Sequence, residues 1–347
     1  MYRHLLVPID GTDLSTEICT NAVEFAQILG ARISFFHAQP DYAAALDGEA
    51  EILRLTSPEK FAYAYTGRVR ELLAKAEAAA RAFGVESASA TVVSDSPAQA
   101  IIAAARELHC DLIYMASHGR RSHIGMMLGS QTLKVLVSAG MPVLVARTST
   151  SAAPSLATDL IRDEHRSLAA VLHALQNVLD SGQDLRNPPH ADLLRTIASY
   201  IETFPDTQHR PKEEEYILPR LEARSSRYGQ EIAELRLQHE QGRRLAGELT
   251  AAVERYLASG SGLAAMKEVV SHCEQSLWEH MRLVERVILP AALHHLTPED
   301  WNEINAAFSE GADPRFGRNS RTEFRQLFSR IVNLASEKAT ASLSAAQ

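Results

Sequence analysis

Short apolar runs and longer amphipathic stretches alternate along the first 147 residues. Leu5 to Ile9, Ile33 to His37, Thr91 to Val93, Leu112 to Met115 and Val143 to Ala146 read as strands, being brief and rich in β-branched or aromatic residues. Between them, stretches around Ser15 to Leu29, Pro58 to Phe83, Ala98 to Leu108 and Ser130 to Ser138 carry the apolar spacing of helices, and Gly30 and Gly84 stand at the ends of the first two. Strands joined through helices need crossover connections. The pattern therefore predicts an α/β doubly wound domain, a five-stranded parallel sheet with helices on both faces. Ligands of such sheets sit beyond the carboxyl ends of the strands, where Asp10, Ala38 and the loop around Gly119 fall.

Residues 148–157 are small, polar and proline-containing, and read as a linker. Beyond them the strand signal stops. Helical patterns cover about 158–180, 190–204 continuing through 208–223, 227–258 and 262–295, with a shorter helix after Thr297-Pro298-Glu299-Asp300. Four long helices with short connections predict an all-α up-down four-helix bundle over 158–336. The Ala/Ser-rich residues 337–347 are expected to form a flexible tail. A chain of 347 residues suits two such domains better than one core.

The net charge of −8 argues against a nucleic-acid surface. No run is long and apolar enough to span a bilayer, and the start, Met1-Tyr2-Arg3-His4-Leu5-Leu6-Val7-Pro8, lacks the features of a secretion signal, so the expected compartment is the cytoplasm. Cys19, Cys110 and Cys273 are widely spaced and unpaired in pattern, which fits buried hydrophobic packing rather than a disulfide framework or thiolate metal site.

Two stretches carry chemistry. After the apolar run Leu112-Ile113-Tyr114-Met115 comes a loop containing Gly119 and ending in Gly129-Ser130, where a helix begins. Glycines let a backbone approach an anion closely, and the free N–H groups of a helix start point toward it. No P-loop lysine or magnesium-binding carboxylate adjoins these glycines, so binding is expected rather than rapid phosphoryl transfer. His118 and His123 flank the loop and read as polar surface.

The spacing resembles the universal stress protein signature G-x2-G-x9-G-[ST], with Ala116 in place of its first glycine. Leu5-Leu6-Val7-Pro8-Ile9-Asp10-Gly11, Ile33 to Ala38 and Asp95-Ser96-Pro97-Ala98-Gln99-Ala100 extend the resemblance over residues 1–147. It implies ATP or a related adenine nucleotide, with Asp10 at the ribose or adenine, Ala38 at the adenine edge, and Gly119, Arg120, Gly129, Ser130 and Gln131 at the phosphates. It also implies a homodimer formed through the last strand, Val143 to Ala146.

In the second domain His165, His209, His239 and His280 each fall on a different helix, and facing helices can converge such side chains on the bundle axis. His209 and Glu213, four apart, are offset by only about 40° around a helix. Residues 160–335 resemble the hemerythrin-like HHE cation-binding domains, through Phe204-Pro205, Lys212-Glu213-Glu214-Glu215 leading to Leu218-Pro219, and Glu279-His280-Met281-Arg282-Leu283 leading to Ile288-Leu289-Pro290. The resemblance implies non-haem iron held by His165, His209, Glu213, His239 and His280.

Three positions depart from that family's pattern. Val284 stands four after His280 where a glutamate is expected, Arg243 stands four after His239, and Arg210 follows His209. Glu285 lies five residues from His280, about 140° away on an α-helix. With Glu213 as the one carboxylate counted, two ferrous ions look under-compensated. The order of expectation is one ion first, then none with Arg243 pairing Glu213, then two. His272 is a reserve ligand, two turns before His280. The functional expectation is a stress or signalling protein pairing nucleotide binding with metal, oxygen or redox sensing. The alternatives are a metal-dependent oxidase or peroxidase, and a metal-free interaction and dimerisation protein.

Overall fold

The computed structural model describes residues 2–11, 13–39, 58–117, 129–146, 155–182, 184–308, 314–316 and 322–334. They fall into two compact units, divided between Thr150 and Ser151.

In the first unit β1 (His4–Pro8), α1 (Asp13–Leu29), β2 (Arg32–Gln39), α2 (Pro58–Ala82), β3 (Ser87–Val93), α3 (Pro97–Glu107), β4 (Leu112–Ala116), α4 (Ser130–Ser138) and β5 (Val143–Ala146) follow one another. The strands form one sheet of order β3-β2-β1-β4-β5, every pair parallel. β1, β2 and β4 are buried because they have neighbours on both sides and apolar residues throughout, such as Leu5, Leu6, Phe35 and Ile113. On one face Leu6, Phe36 and Ile113 pack with Ile101, Ile102 and Ala105 of α3 and Val135 of α4. Gly30 and Gly84 adopt the left-handed conformation (φ 63° and 69°) just past α1 and α2, the turn their positions predict. β3 is longer than Thr91 to Val93, because Ser87 to Ala90 lie in register with Ile33 to Phe36 and complete the ladder despite weak strand propensity.

The second unit is helical. Its long helices are α5 (Ser155–Asp180), α6 (His190–Phe204), α8 (Gly229–Ser259) and α9 (Leu263–Leu283), with α7 (Leu218–Arg224), α10 (Leu289–His295) and α11 (Pro298–Phe308) between or after them and α12 over 322–334. α5 packs on α6 and α9, and α8 on α6 and α9, which closes a ring of four. Because α5 starts at Ser155, the last residues assigned to the linker are helical. The tail 337–347 lies outside the described residues. No helix among the described residues is long and apolar enough to cross a membrane.

Three segments wind wider than an α-helix, with i→i+5 hydrogen bonding: Pro205–His209, Lys212–Ile217 and Val284–Ile288. Their closing bonds run from the N–H of Arg210, Leu218 and Leu289 to the carbonyls of Pro205, Glu213 and Val284. Proline cannot donate to the carbonyl four residues back and its ring crowds that carbonyl. Pro211, Pro219 and Pro290 lie four residues after Thr207, Glu215 and Arg286, one inside each widened segment. The extra residue per turn relieves each clash.

α11 opens with a reciprocal cap. The Thr297 N–H donates to Asp300 Oδ2 at 2.9 Å and the Asp300 N–H to Thr297 Oγ1 at 3.2 Å, while Arg224 grips the same carboxylate at 2.9 and 3.1 Å. The Arg224 bonds, helped by Thr297, hold the Asp300 carboxyl at about 2. Thr297→Ala is expected to cost about 1 kcal/mol by urea denaturation. Since the folded value is depressed, the Asp300 contribution is complete above roughly pH 4 and fades as pH falls toward 2. An Asp300→Asn chain should therefore lose part of the wild-type slope of stability against pH in that window.

Candidate functional site

At the carboxyl edge of the sheet the strand order turns outward on either side between β1 and β4, the place where ligands enter such folds. Asp10 follows β1, and Ala38 lies near the end of β2, paired with Val92. The ends are tied together: the Ile9 N–H donates to Phe36 O at 2.9 Å, and His37 Nδ1 lies 2.8 Å from Ile9 O. Across the switch, the Ser117 N–H reaches Ala146 O at 2.9 Å and the Gly129 N–H reaches Ser117 O at 2.8 Å, closing the base of the glycine loop. Gly129 and Ser130 then start α4 at the same edge. Gly119, Arg120, His118 and His123 lie outside the described residues. The Gln131 Oε1 accepts from the Ala98 N–H at 3.2 Å, which ties the side chain to the start of α3.

The bundle brings all five of its sequence-derived candidates together. His165 comes from α5, His209 and Glu213 from the two widened segments after α6, His239 from α8 and His280 from α9, and each is buried. His280 Nε2 stands 3.2 Å from His165 Nε2 and 3.4 Å from His209 Nε2. Glu213 divides its oxygens, Oε1 lying 3.7 Å from His165 and 3.5 Å from His209, and Oε2 3.0 Å from His239 and 3.8 Å from His280. Tetrahedral ligands with metal–nitrogen bonds of about 2.0–2.1 Å stand roughly 3.3 Å apart. One atom from each of His165, His209, Glu213 and His280 lies within 4.8 Å of every other, so these four could hold one ion, with His239 at the second oxygen of Glu213.

Three carboxylates hold the far nitrogens of the imidazoles. Glu285 meets His165 Nδ1 at 2.9 Å, Glu164 meets His209 Nδ1 at 3.0 Å, and Glu214 meets His239 Nδ1 at 2.6 Å. Such partners fix the tautomer, aim the ring and raise its basicity toward a metal. Lys212, fully buried, bonds Glu164 at 2.6 Å and the Gln208 carbonyl.

Charge follows this geometry. Burial pushes the Glu213 carboxyl upward, but His209, His280, His165 and His239 together outweigh it and leave it well below the usual range. Burial holds His280 well below its ordinary value, and also lowers His209. For His165 burial is outweighed by Glu213 and Glu285, which lift it to about 9, and Glu213 and Glu214 likewise raise His239. Metal binding at either ring would compete with its proton.

Several sequence-based expectations change. Glu285 lies in the widened turn Val284–Ile288 and meets the outer nitrogen of His165, so it orients that ring and does not replace the carboxylate missing at Val284. Pro290 was the available signal. Among the described residues Glu213 is the one carboxylate in position to hold an ion, while Glu285, Glu164 and Glu214 add negative charge at the outer nitrogens. Arg243 does not pair with Glu213: it is 43% exposed and bonds Asp206 at 3.0 Å, with Glu214 at 3.5 Å. His272 lies exposed on a polar groove with Gln241, Glu248 and Glu279, apart from the four converging histidines. Replacing Glu285 with glutamine is expected to lower metal affinity about 10–100-fold in a competitive chelator titration, through loss of its grip on His165.

Comparison with known proteins parallels both halves. A model of the universal stress protein family matches residues 1–147, and one of the hemerythrin HHE cation binding domain matches residues 156–292. A universal stress protein of Thermus aquaticus is 34% identical over 151 residues, which span 42% of this chain and 100% of that protein. The chain belongs to the universal stress protein family, with a hemerythrin HHE domain joined to it. The universal stress protein YxiE of Bacillus subtilis is 30% identical over 151 residues, again 42% of this chain and 100% of that protein. Among solved structures, that of the universal stress protein from Archaeoglobus fulgidus in complex with dAMP is 21% identical, covering 42% of this chain and 97% of that one, with a TM-score of 0.30. The universal stress protein domain thus contains the glycine loop, and the HHE domain contains the histidine cluster.

Proposed function

We propose that this protein is a cytoplasmic stress-response sensor in which an adenine-nucleotide-binding domain is joined to a bundle that holds one redox-active metal ion, iron by preference. The observation that carries this reading is the histidine cluster: four buried imidazoles meet one buried carboxylate, and three further carboxylates hold the far nitrogens. That is the donor set of a metal site with its orienting partners, and a core of this size without a cation would bury the same polar groups at considerable cost. When bound, the ion would supply electron transfer or small-ligand binding. His165, His209, His280 and Glu213 would hold it, and Glu285, Glu164 and Glu214 would keep the rings aimed.

For the nucleotide, the support is family membership and the tied edge of the sheet near Asp10, Ala38, Gly129 and Ser130, with Gly119 and Arg120 expected at the phosphates. A homodimer through β5 is supported by its place at the sheet edge, where its residues stay half-buried, and by the exposed Leu133, Leu136 and Val137 of neighbouring α4.

The test is metal content per chain by plasma mass spectrometry after growth in iron-supplemented medium, combined with thermal melting in the presence of ATP. About one iron per chain and a melting temperature that rises with ATP concentration are expected, since a ligand of the folded state stabilises it. No metal after anaerobic reloading would overturn the sensor reading, and no ATP shift would overturn the nucleotide reading. Peroxide turnover by the iron-loaded chain would move the assignment from sensor to enzyme.

A further inference from the structure

A cavity of about 70 Å³ lies against one side of the histidine cluster, bordered by His209, His239 and His280. Most of its remaining wall is apolar, including Leu168, Ile201 and Leu245. One wall residue is out of character with these. Arg210 is a buried guanidinium, 8% exposed, in a wall whose other polar groups are Gln238, Ser276 and the three imidazoles.

Its bonding is incomplete for so costly a burial. A guanidinium has five N–H donors in a planar fork. Among the described residues its one hydrogen-bonded acceptor is Asp206, reached through Nη1. Asp206 is itself 41% exposed and shares the same Oδ1 with Arg243, so one carboxylate serves two guanidinium groups. The other terminal nitrogen, Nη2, passes over Gly242, where a Cβ would stand 2.8 Å from it. Gly242, also in the cavity wall, is thus the residue that lets the guanidinium occupy this position.

We propose that the cavity is a binding site for a small planar monoanion of the carboxylate class, formate in size, with the Arg210 guanidinium as its counter-charge. A planar fork matches a planar oxyanion through paired hydrogen bonds, and desolvated donors gain most from such a partner. Size sets the upper limit: about 70 Å³ holds two or three waters or an anion of three to four heavy atoms, whereas a benzene-sized guest needs roughly 150 Å³. The site borders His209, His239 and His280, so an anion there sits beside the proposed ion. The proposal deepens the metal-site reading, yet Arg210, Gly242 and the cavity are present with or without metal.

Isothermal titration calorimetry with sodium formate, at constant ionic strength, tests it on the full chain in two states, chelator-treated and zinc-loaded, with zinc content measured separately. Saturable formate binding is expected in the native chain, with benzoate giving none. Arg210→Gln and Gly242→Ala should each weaken formate binding by about tenfold or more, the second by displacing Nη2 while keeping the charge, and Arg210→Lys should fall between. Circular dichroism melts establish that each variant is folded. Binding that survives both substitutions, or is seen only with zinc and is indifferent to Arg210, would overturn the proposal. Normal zinc uptake without formate binding would overturn it and leave the metal reading standing. Failure to take zinc, with Arg210-dependent formate binding intact, would uphold it, and the iron content of the chain then decides the metal reading separately.

Discussion

A Glu213→Gln chain is expected to fold and to carry metal only at background, where the native chain carries about one ion. Glu213 is 1% exposed and is the one carboxylate whose oxygens face the inner nitrogens of His165, His209, His239 and His280. With glutamine there, a divalent ion would rest on neutral imidazoles in a bundle interior, and uncompensated charge in such surroundings is costly. Plasma mass spectrometry after iron-supplemented growth reads the loss directly. Arg243→Ala serves as the contrast: that side chain is exposed and joined to Asp206 and Glu214, so metal content should hold. Retention of a full ion by Glu213→Gln would show that the cluster is organised around some other group.

The second large effect concerns stability. Lys212 has no exposed surface; its ammonium bonds Glu164 at 2.6 Å and the Gln208 carbonyl, and lies 4.4 Å from the centre of the Phe316 ring. Lys212→Met removes the cation and leaves Glu164 buried with His209 as its remaining hydrogen-bond partner among the described residues. Breaking a buried pair in this way costs about 3–5 kcal/mol, whereas replacing both partners is close to neutral. The urea midpoint of Lys212→Met should therefore fall steeply. Adding Glu164→Gln should recover much of the loss, although His209 then loses its carboxylate and metal affinity drops. Equal midpoints for Lys212→Met and the native chain would mean that the pair is not held as drawn.

These two residues show where reading by pattern stops. Lys212-Glu213-Glu214-Glu215 is a run of four charges, a composition that ordinarily marks a solvated face. In the folded chain the first two are buried and the next two are not. The run sits on a widened turn whose inner side faces the bundle axis, and nothing in the charges themselves reports that. The same device explains Glu285. Its position was judged by the α-helical angle from His280; it lies in the i→i+5 turn that precedes Pro290 and meets the outer nitrogen of His165. Glu164 went unassigned for a related reason: it adjoins His165 in sequence, but its partners, His209 and Lys212, arrive from another helix.

The chain by itself determined the alternation of strands and helices in its first half, the four long helices of its second, the glycine loop beyond β4, and the five residues that meet in the bundle. The first three depend on local periodicity, turn chemistry or spacing along one element, all of which are written in consecutive residues, whereas the five residues were named through resemblance to the HHE domains. Tertiary structure alone decided which carboxylate holds which imidazole, that Arg243 stays outside while Arg210 turns inward, and that Lys212 is buried. Those outcomes depend on helices distant in sequence being brought within a hydrogen bond of one another, and on small changes of helical winding that rotate a side chain from one face to the next.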